Sequence, residues 1–414
     1  MIFQSITGLL TFTGIAWLLS ENRKQVKLNM AVIGIVLQLL VGLILLKIPI
    51  FRDFFLLLNR LVLSLEEATT AGTSFVFGYL GGADLPFKEE FPGAGFILAF
   101  RALPLVLIIS ALSALLFYWK ILPLVVKAFS WALQKTMGLG GTEGVGVSAN
   151  IFVGMVESPL FIRPYFQRMT RSEIFTLMTS GMATIAGTVM VLYASILRTT
   201  FPDIMGHILP ASIISVPAAI TISKLMVPET DELTPGELTV PEKATSSMDA
   251  VTKGTLQGVE LLLNIIAMLV VLVALVYLMN LILGLFPEFG GEPVTLQRLM
   301  GYIMAPMVWL MGIPLNEAIT AGALMGTKTI LNELLAYLDL SRLEPGTLSP
   351  RSMLIMIYAM CGFANPGSLG IMIGGMGTMA PTRRDEIVAL GFRSIIAGTL
   401  ATCMTGAVVG IIGG

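Results

Sequence analysis

Gly144–Pro164 reads G-V-G-V-S-A-N-I-F-V-G-M-V-E-S-P-L-F-I-R-P, and Ile313–Tyr337 reads I-P-L-N-E-A-I-T-A-G-A-L-M-G-T-K-T-I-L-N-E-L-L-A-Y. Both stretches are apolar enough for a membrane and too broken to cross it. The first holds Asn150, Gly154, Glu157 and Pro159; the second holds Asn316, Glu317, Lys328, Asn332 and Glu333. A helix exposing such groups to lipid would cost about 2.5–3.5 kcal/mol per central charge. Re-entrant hairpins buried in protein avoid that cost, because irregular backbone is tolerated at membrane depth where it lines a cavity.

Each hairpin precedes a span that is itself interrupted. After the first comes Gly181-Met182-Ala183-Thr184-Ile185-Ala186-Gly187-Thr188; after the second comes Cys361-Gly362-Phe363-Ala364-Asn365-Pro366-Gly367-Ser368. Pro366 removes a backbone donor and Gly367 loosens the helix, which predicts a break near mid-membrane. Gly and Pro are common in transmembrane helices, so one broken helix alone reads as packing. Two hairpins, each followed by a broken span and each with a carboxylate inside, read as a transporter or channel. Free helix N-termini can face anionic or polar substrate groups, and free carbonyls can hold a cation.

Composition agrees. Of 414 residues 55% are hydrophobic and 12% charged, against roughly 25% charged in soluble domains. That excludes a soluble enzyme, a nucleic-acid binder and a disordered scaffold, and predicts an all-α polytopic membrane protein. Lys plus Arg number 25 and Asp plus Glu 26, so no overall charge bias names a partner. One histidine and two cysteines, Cys361 and Cys403, argue against a zinc site. A Ser-His-Asp triad would need His207, which sits beside Pro202 and Asp203 in an expected connection. No G-x-x-x-x-G-K-[ST] loop occurs, so an ion gradient rather than ATP is the expected driving force.

A span needs about 20 apolar residues. Eight stretches qualify: Ile2–Leu19, Met30–Leu46, Gly95–Trp119, Phe175–Leu197, Ile208–Met226, Leu256–Phe286, Met353–Met379 and Ile387–Ile412. The first lacks a basic leader and an A-x-A site, so it reads as a retained helix. Ile50–Leu65, interrupted by Arg52, Asp53, Asn59 and Arg60, and Ile121–Leu133, which holds Lys127, read as interfacial helices. Pro228–Lys253, with Glu229, Asp231, Glu232, Glu237, Glu242 and Asp249, reads as a solvated loop whose charges need no functional role. Arg23, Lys24 and Lys27 place the first loop in the cytoplasm and the N-terminus outside. The basic loop Pro381-Thr382-Arg383-Arg384-Asp385-Glu386 should then face the same side, as eight spans require.

At these residues the chain resembles the concentrative nucleoside transporters, sodium- or proton-coupled carriers of nucleosides, in their bacterial eight-span form. The blocks are Ala149-Asn150-Ile151-Phe152-Val153-Gly154, Glu157-x-Pro159-Leu160, Arg163-Pro164, Ala183-x-Ile185-Ala186-Gly187, Pro314-x-Asn316-Glu317-Ala318, Asn332-Glu333-x-x-Ala336-Tyr337 and Cys361-Gly362-Phe363-Ala364-Asn365. They keep family order and spacing across roughly residues 90–412. The resemblance implies a homotrimer in the lipid bilayer of the inner membrane, each protomer with a scaffold and an elevator-type transport domain. On that frame residues 1–94 hold the N-terminal helices and first interfacial helix, and 95–136 the third helix and second interfacial helix. Residues 137–227 hold the first hairpin, broken fourth helix and fifth helix; 228–254 are a cytoplasmic loop. Residues 255–312 hold the sixth helix and a third interfacial helix, and 313–414 the second hairpin, broken seventh helix and eighth helix.

The resemblance also implies roles. Glu333, Asn365 and Ser368 match ribose-binding groups, and a buried carboxylate suits vicinal hydroxyls because a charged hydrogen bond contributes about 1.5–3 kcal/mol. A purely structural role for Glu333 would be an ion pair with Lys328, at an i, i+5 spacing poor for one helix face. Phe363 matches an aromatic beside the base; its plain alternative is packing. Gly154, Met155, Val156, Glu157 and Val189 match the remaining substrate-site positions. Asn150, Val153, Thr184 and Ile185 match the sodium ligands, and Asn at position 150 favours sodium over protons. The family's nucleobase motif is usually Gly-Gln-Thr/Ser-Glu; here it is Gly154-Met155-Val156-Glu157. Two hydrogen-bonding side chains have become apolar, which implies a preference for purine nucleosides. A proton-coupled nucleoside or nucleobase carrier is the alternative. An intramembrane protease would need a Ser-His or paired-Asp arrangement within spans and a signalling receptor a soluble output domain, and the sequence suggests neither.

Overall fold

The structure, a computed structural model, describes residues 1–88, 95–197, 201, 204–239, 244–288, 291 and 293–413, and among them it is wholly helical. Helices α1 (Ile2–Leu18), α2 (Leu28–Lys47) and α3 (Pro49–Phe77) open the chain. They are followed by α4 (Leu98–Arg101), α5 (Leu105–Tyr118) and α6 (Ile121–Met137). The first expected hairpin is α7 (Gly141–Val153) and a 3-10 helix over Ser158–Arg168. The fourth expected span is split into α8 (Arg171–Ala183) and α9 (Gly187–Leu197), and α10 (Met205–Met226) follows. Then come α11 (Ser247–Leu283) and α12 (Leu296–Leu310). The second hairpin is α13 (Ala318–Ile330) and α14 (Glu333–Arg342). The seventh expected span is split into α15 (Pro350–Met360) and α16 (Pro366–Met379), and α17 (Arg384–Ile412) closes the chain.

Both predicted breaks are therefore present. Residues 184–186 separate α8 from α9, and residues 361–365 separate α15 from α16. Pro366 does not interrupt a turn; it occupies the first turn of α16, where its missing N–H costs nothing. Among the described residues five helical stretches are long and apolar enough to cross a membrane: α2, Leu98–Tyr118, α10, α11 and Pro381–Ile412. Of the other expected spans, α1 is shorter and two are the broken pairs.

Four expectations are corrected. The helix expected over Ile50–Leu65 runs on to Phe77. Beyond Leu65, Thr69, Thr70, Thr73 and Ser74 return their hydroxyls to carbonyls four residues back, at 2.7, 2.9, 3.1 and 2.6 Å, and so keep to the helix. The span Gly95–Trp119 is divided at Pro104, between α4 and α5. The helix expected over Ile121–Leu133 continues to Met137 and stops at Gly138, whose φ of 63° suits glycine. The loop assigned to Pro228–Lys253 gives way to α11 at Ser247, because the Ser246 side chain accepts from Asp249 N and caps it.

That loop is also docked rather than merely solvated. Thr234 N donates to Glu173 Oε1 at 2.8 Å, and Thr239 N donates to Phe161 O at 2.9 Å. Glu229 accepts from Lys224 Nζ at 3.1 Å and from Thr170 Oγ1 at 2.9 Å. Glu242 lies outside the described residues. His207 stands on the first turn of α10, not in a connection, with Nδ1 3.2 Å from Tyr358 Oη; Pro202 and Asp203 lie outside the described residues.

The core is built around α8, α10 and α17. Of their apolar stretches, that of α10 is 89% buried and that of Pro381–Ile412 83%. By contrast α11, the most apolar of the five, is only 6% buried, so most of its surface is left for lipid or for other copies. Arg171 joins Glu21 at 2.8 Å and Glu386 at 3.5 Å, and Arg393 reaches Glu21 at 3.3 Å. The first loop and the loop before α17 therefore share one end of the molecule, as their basic residues suggested. Arg171 and Arg393 hold the Glu21 carboxyl below its ordinary pKa, the Arg171 hydrogen bond contributing most.

α11 meets α5 through Gly254 and Gly258. A Cβ at Gly254 would stand 2.7 Å from Ser110 O, a backbone atom that cannot turn aside. Gly254→Val is expected to destabilise the protein by about 1–3 kcal/mol, read as a lower melting temperature in detergent, whereas Gly72→Ala, where nothing lies within 4 Å, should melt as the parent does.

Candidate functional site

The turn of the first hairpin is made by Gly154, with φ 105°, a conformation other residues rarely adopt. A Cβ there would also stand 2.9 Å from Glu157 Oε2 and 3.0 Å from Ala186 Cβ. The close contact with Ala186 shows that the hairpin turn abuts the α8–α9 break. A Cβ at Gly187 would lie 2.7 Å from Phe152 O, which fixes the same junction from the other side.

Three helices begin at one cavity. Ala186 and Val189 reach it from the start of α9, Asn332, Glu333 and Leu334 from the start of α14, and Asn365, Gly367 and Ser368 from the start of α16. The hairpin turn 154–157 and the face of α11 complete the wall. The cavity encloses about 880 Å³ of space, part of it continuous with the outside. Helix N-termini carry partial positive charge and unsatisfied N–H groups, so this convergence favours carboxylate and hydroxyl oxygens.

Asn332 and Asn365 cap the two incoming helices. Asn332 Oδ1 accepts from Leu335 N at 2.9 Å, and Asn365 Oδ1 from Ser368 N at 2.8 Å. Capping consumes the Asn365 oxygen and leaves its amide, which donates to Glu333 Oε2 at 3.2 Å. Tyr193 Oη donates to Glu333 Oε1. Glu333 is 4% exposed and its carboxylate is thus gripped on both oxygens, while about half of its lone-pair sites stay free. Its partner is not Lys328, whose Nζ donates to Thr402 Oγ1 at 3.2 Å.

All nine residues expected at the substrate position line this cavity: Gly154, Met155, Val156, Glu157, Val189, Glu333, Phe363, Asn365 and Ser368. Met155 packs towards Gly181 and Met372, and Val156 against Gly375. Tyr193, Asn264 and Asn332 line it as well. Tyr193 was legible as Val189 plus one turn on the same helix face. Asn264 was legible as the one polar residue in the apolar run between Glu260 and Tyr277.

The four residues expected to hold a cation meet at the neighbouring junction. Asn150 Nδ2 donates to Thr184 Oγ1 at 2.7 Å, and Thr184 Oγ1 donates to Ser180 O at 2.8 Å. Asn150 Oδ1 is buried without a hydrogen-bond partner. Val153 ends α7 and Ile185 lies in the break, so both carbonyls stand outside regular helix. Ser212 Oγ reaches Ile185 O at 3.5 Å. An orphaned amide oxygen near carbonyls that stand outside regular helix suits a hard monovalent cation. Among the described residues no cluster of three or more His, Cys, Asp or Glu side chains could hold a metal ion.

Paired hairpins and broken helices around a largely apolar cavity with a few polar groups at its helix starts are the architecture of a membrane transporter. Residues 7–80 and 207–410 match the N- and C-terminal models of the Na+ dependent nucleoside transporter, and residues 99–200 match a model described as nucleoside recognition. The nucleoside permease NupC of Helicobacter pylori is 32% identical over 420 residues, covering 99% of this chain and 98% of its own. The uncharacterized transporter YutK of Bacillus subtilis is 36% identical over 99% of both chains. Human solute carrier family 28 member 3 is 35% identical over 99% of this chain and 59% of its own. The solved structure of CNTnw in an inward-facing substrate-bound state superposes with a TM-score of 0.91 at 33% identity, over 100% of this chain and 99% of that one. An outward-facing CNTnw variant gives 0.89 at 32% identity, over 99% and 97%. The chain belongs to the Na+-dependent, concentrative nucleoside transporter family, and it is a transporter, not an enzyme.

Tyr193→Phe removes one charge-assisted hydrogen bond from Glu333, worth about 1.5–3 kcal/mol. Nucleoside affinity measured by calorimetric titration should fall at least about tenfold. Unchanged affinity would mean that Asn365 alone orients the carboxylate.

Proposed function

We propose that this protein is a sodium-coupled nucleoside symporter of the inner membrane that imports nucleosides, purine nucleosides in preference. The observation that carries the reading is the Glu333 carboxylate, held by Tyr193 and Asn365 at the N-termini of two broken segments and left with free acceptor sites. Vicinal ribose hydroxyls are the complementary donors. Ser368, on the first turn of α16, adds a hydroxyl, and Phe363, 9% exposed, presents a ring to the base.

Sodium is carried as co-substrate by Asn150 Oδ1, the carbonyls of Val153 and Ile185, and Thr184. The support is the unpartnered Asn150 oxygen and its contact with Thr184. Hairpin turn and helix break abut, so filling the cation position would order the wall of the substrate cavity, which is a physical route to coupling. One positive charge moving inward is worth about 2.3 kcal/mol per 100 mV of membrane potential.

The protein works as a homotrimer of eight-span protomers with outside N-termini. The two hairpins and the broken helices move as one elevator-type transport domain against a scaffold that includes α11. The exposed apolar surface of α11 is what a scaffold shared between protomers requires.

The base preference rests on Met155 and Val156, which replace hydrogen-bonding side chains with apolar ones and pack against Gly181 and Gly375. Such a wall reads shape rather than polar edges. Reconstituted protein should take up labelled adenosine faster than uridine under an inward sodium gradient and not under a proton gradient alone. Uptake driven by protons without sodium would favour the proton-coupled alternative, and adenine uptake that survives Glu333→Ala would favour a nucleobase carrier. The double change Met155→Gln with Val156→Thr should raise uridine uptake relative to adenosine in the same vesicles.

A further inference from the structure

Six residues of α11 face the cavity: Leu261, Asn264, Ile265, Met268, Leu269 and Leu272. Their spacing of 0, 3, 4, 7, 8 and 11 is a single helical stripe. Five are apolar. Asn264 alone brings two N–H donors and a carbonyl acceptor, and among the described residues its carboxamide has no hydrogen-bond partner. The side chain is exposed and opens onto the cavity. On this stripe it is the one side chain that can exchange hydrogen bonds with a solute in the cavity.

The rest of the wall shows which part of a ligand is left for it. Glu333, Asn365, Ser368 and Tyr193 gather where α14, α16 and α9 meet. The hairpin turn supplies Met155 and Val156, which cannot hydrogen-bond, and Glu157, whose carboxylate is acceptor-only when ionised. Asn264 is the cavity group on α11 with donor and acceptor side by side. That pair matches a base edge on which an exocyclic amino group adjoins a ring nitrogen, the pattern a carboxamide engages on adenine.

We propose that Asn264 is the specificity-determining residue for the base, reading the amino and ring-nitrogen edge of a 6-aminopurine nucleoside from the α11 side of the cavity. This rests on the nucleoside reading above and deepens it. The base is then read from two sides, by shape at Met155 and Val156 of the moving hairpin and by hydrogen bonds from the scaffold helix, while Glu333, Asn365 and Ser368 hold the sugar.

The test compares adenosine with purine riboside, which lacks the 6-amino group, in sodium-driven uptake by proteoliposomes. The parent protein should favour adenosine by about five- to hundredfold. Asn264→Leu should bring the ratio close to one while purine riboside uptake stays at the parent level. Asn264→Gln, which keeps the carboxamide, should retain part of the ratio. Equilibrium binding of the two nucleosides to the detergent-solubilised, monodisperse variants gives the same ratio if a variant no longer transports. An Asn264→Leu ratio equal to that of the parent, or an equal loss for both nucleosides, overturns the proposal and leaves Asn264 as a packing or gating group. Uptake of neither nucleoside by the parent protein would instead overturn the nucleoside reading itself.

Discussion

Main-chain N–H and C=O groups inside hydrocarbon must be satisfied within the protein, and this chain stops several helices in its interior. α7, α8 and α15 end there, and α9, α14 and α16 begin there. Each end exposes polar backbone that lipid cannot accept. The ends are therefore gathered against one another and capped: Asn332 and Asn365 satisfy the starts of α14 and α16. What the caps leave over is the site. Helix starts leave N–H groups and positive potential, where Glu333 sits; helix ends at Val153 and Ala183 leave carbonyls, beside the unpartnered oxygen of Asn150. One constraint thus yields both a cavity suited to a polar solute and an oxygen-rich place for a cation.

That arrangement needs a rigid surround. α10 and α17 supply it, being buried along most of their length. The base of the first hairpin is fastened to α10 by Lys224, which lies 2.8 Å from Glu143 and 3.1 Å from Glu229. Buried ion pairs add little net stability but penalise other geometries strongly, because breaking one leaves a charge without a partner. Glu173 extends the fastening: one oxygen accepts from Thr170 N and the other from Thr234 N, which binds the 228–239 segment to the same corner.

Much of this was legible in the chain itself. Polar groups at Asn150, Glu157, Asn332 and Glu333 within apolar stretches marked the two hairpins, and Gly187, Pro366 and Gly367 marked the breaks. All nine expected substrate-site residues line the cavity, and Asn150 and Thr184 are hydrogen-bonded to each other. Tyr193 and Asn264 escaped notice because, in sequence, each is a single polar group within an apolar run; only neighbours remote in the chain give it a task. The extent of α3 escaped for a local reason: the apolar stretch stops at Leu65, whereas the helix runs on through Thr69, Thr70 and Thr73, whose hydroxyls bond back along it.

The amino-acid order by itself determined that the chain is a helical membrane protein with two interrupted repeats, since composition and the cost of burying charge in lipid act on each segment separately. The tertiary structure decided which charges meet. It paired Glu333 with Tyr193 and Asn365 rather than with Lys328, and left the carboxamide of Asn264 facing the cavity without a partner. It also turned the acidic segment after α10 into a strap on the first hairpin. The physical reason is that a hydrogen bond or ion pair depends on distances of about 3 Å between groups, and these are set by how whole helices pack, which spacing along the chain does not encode.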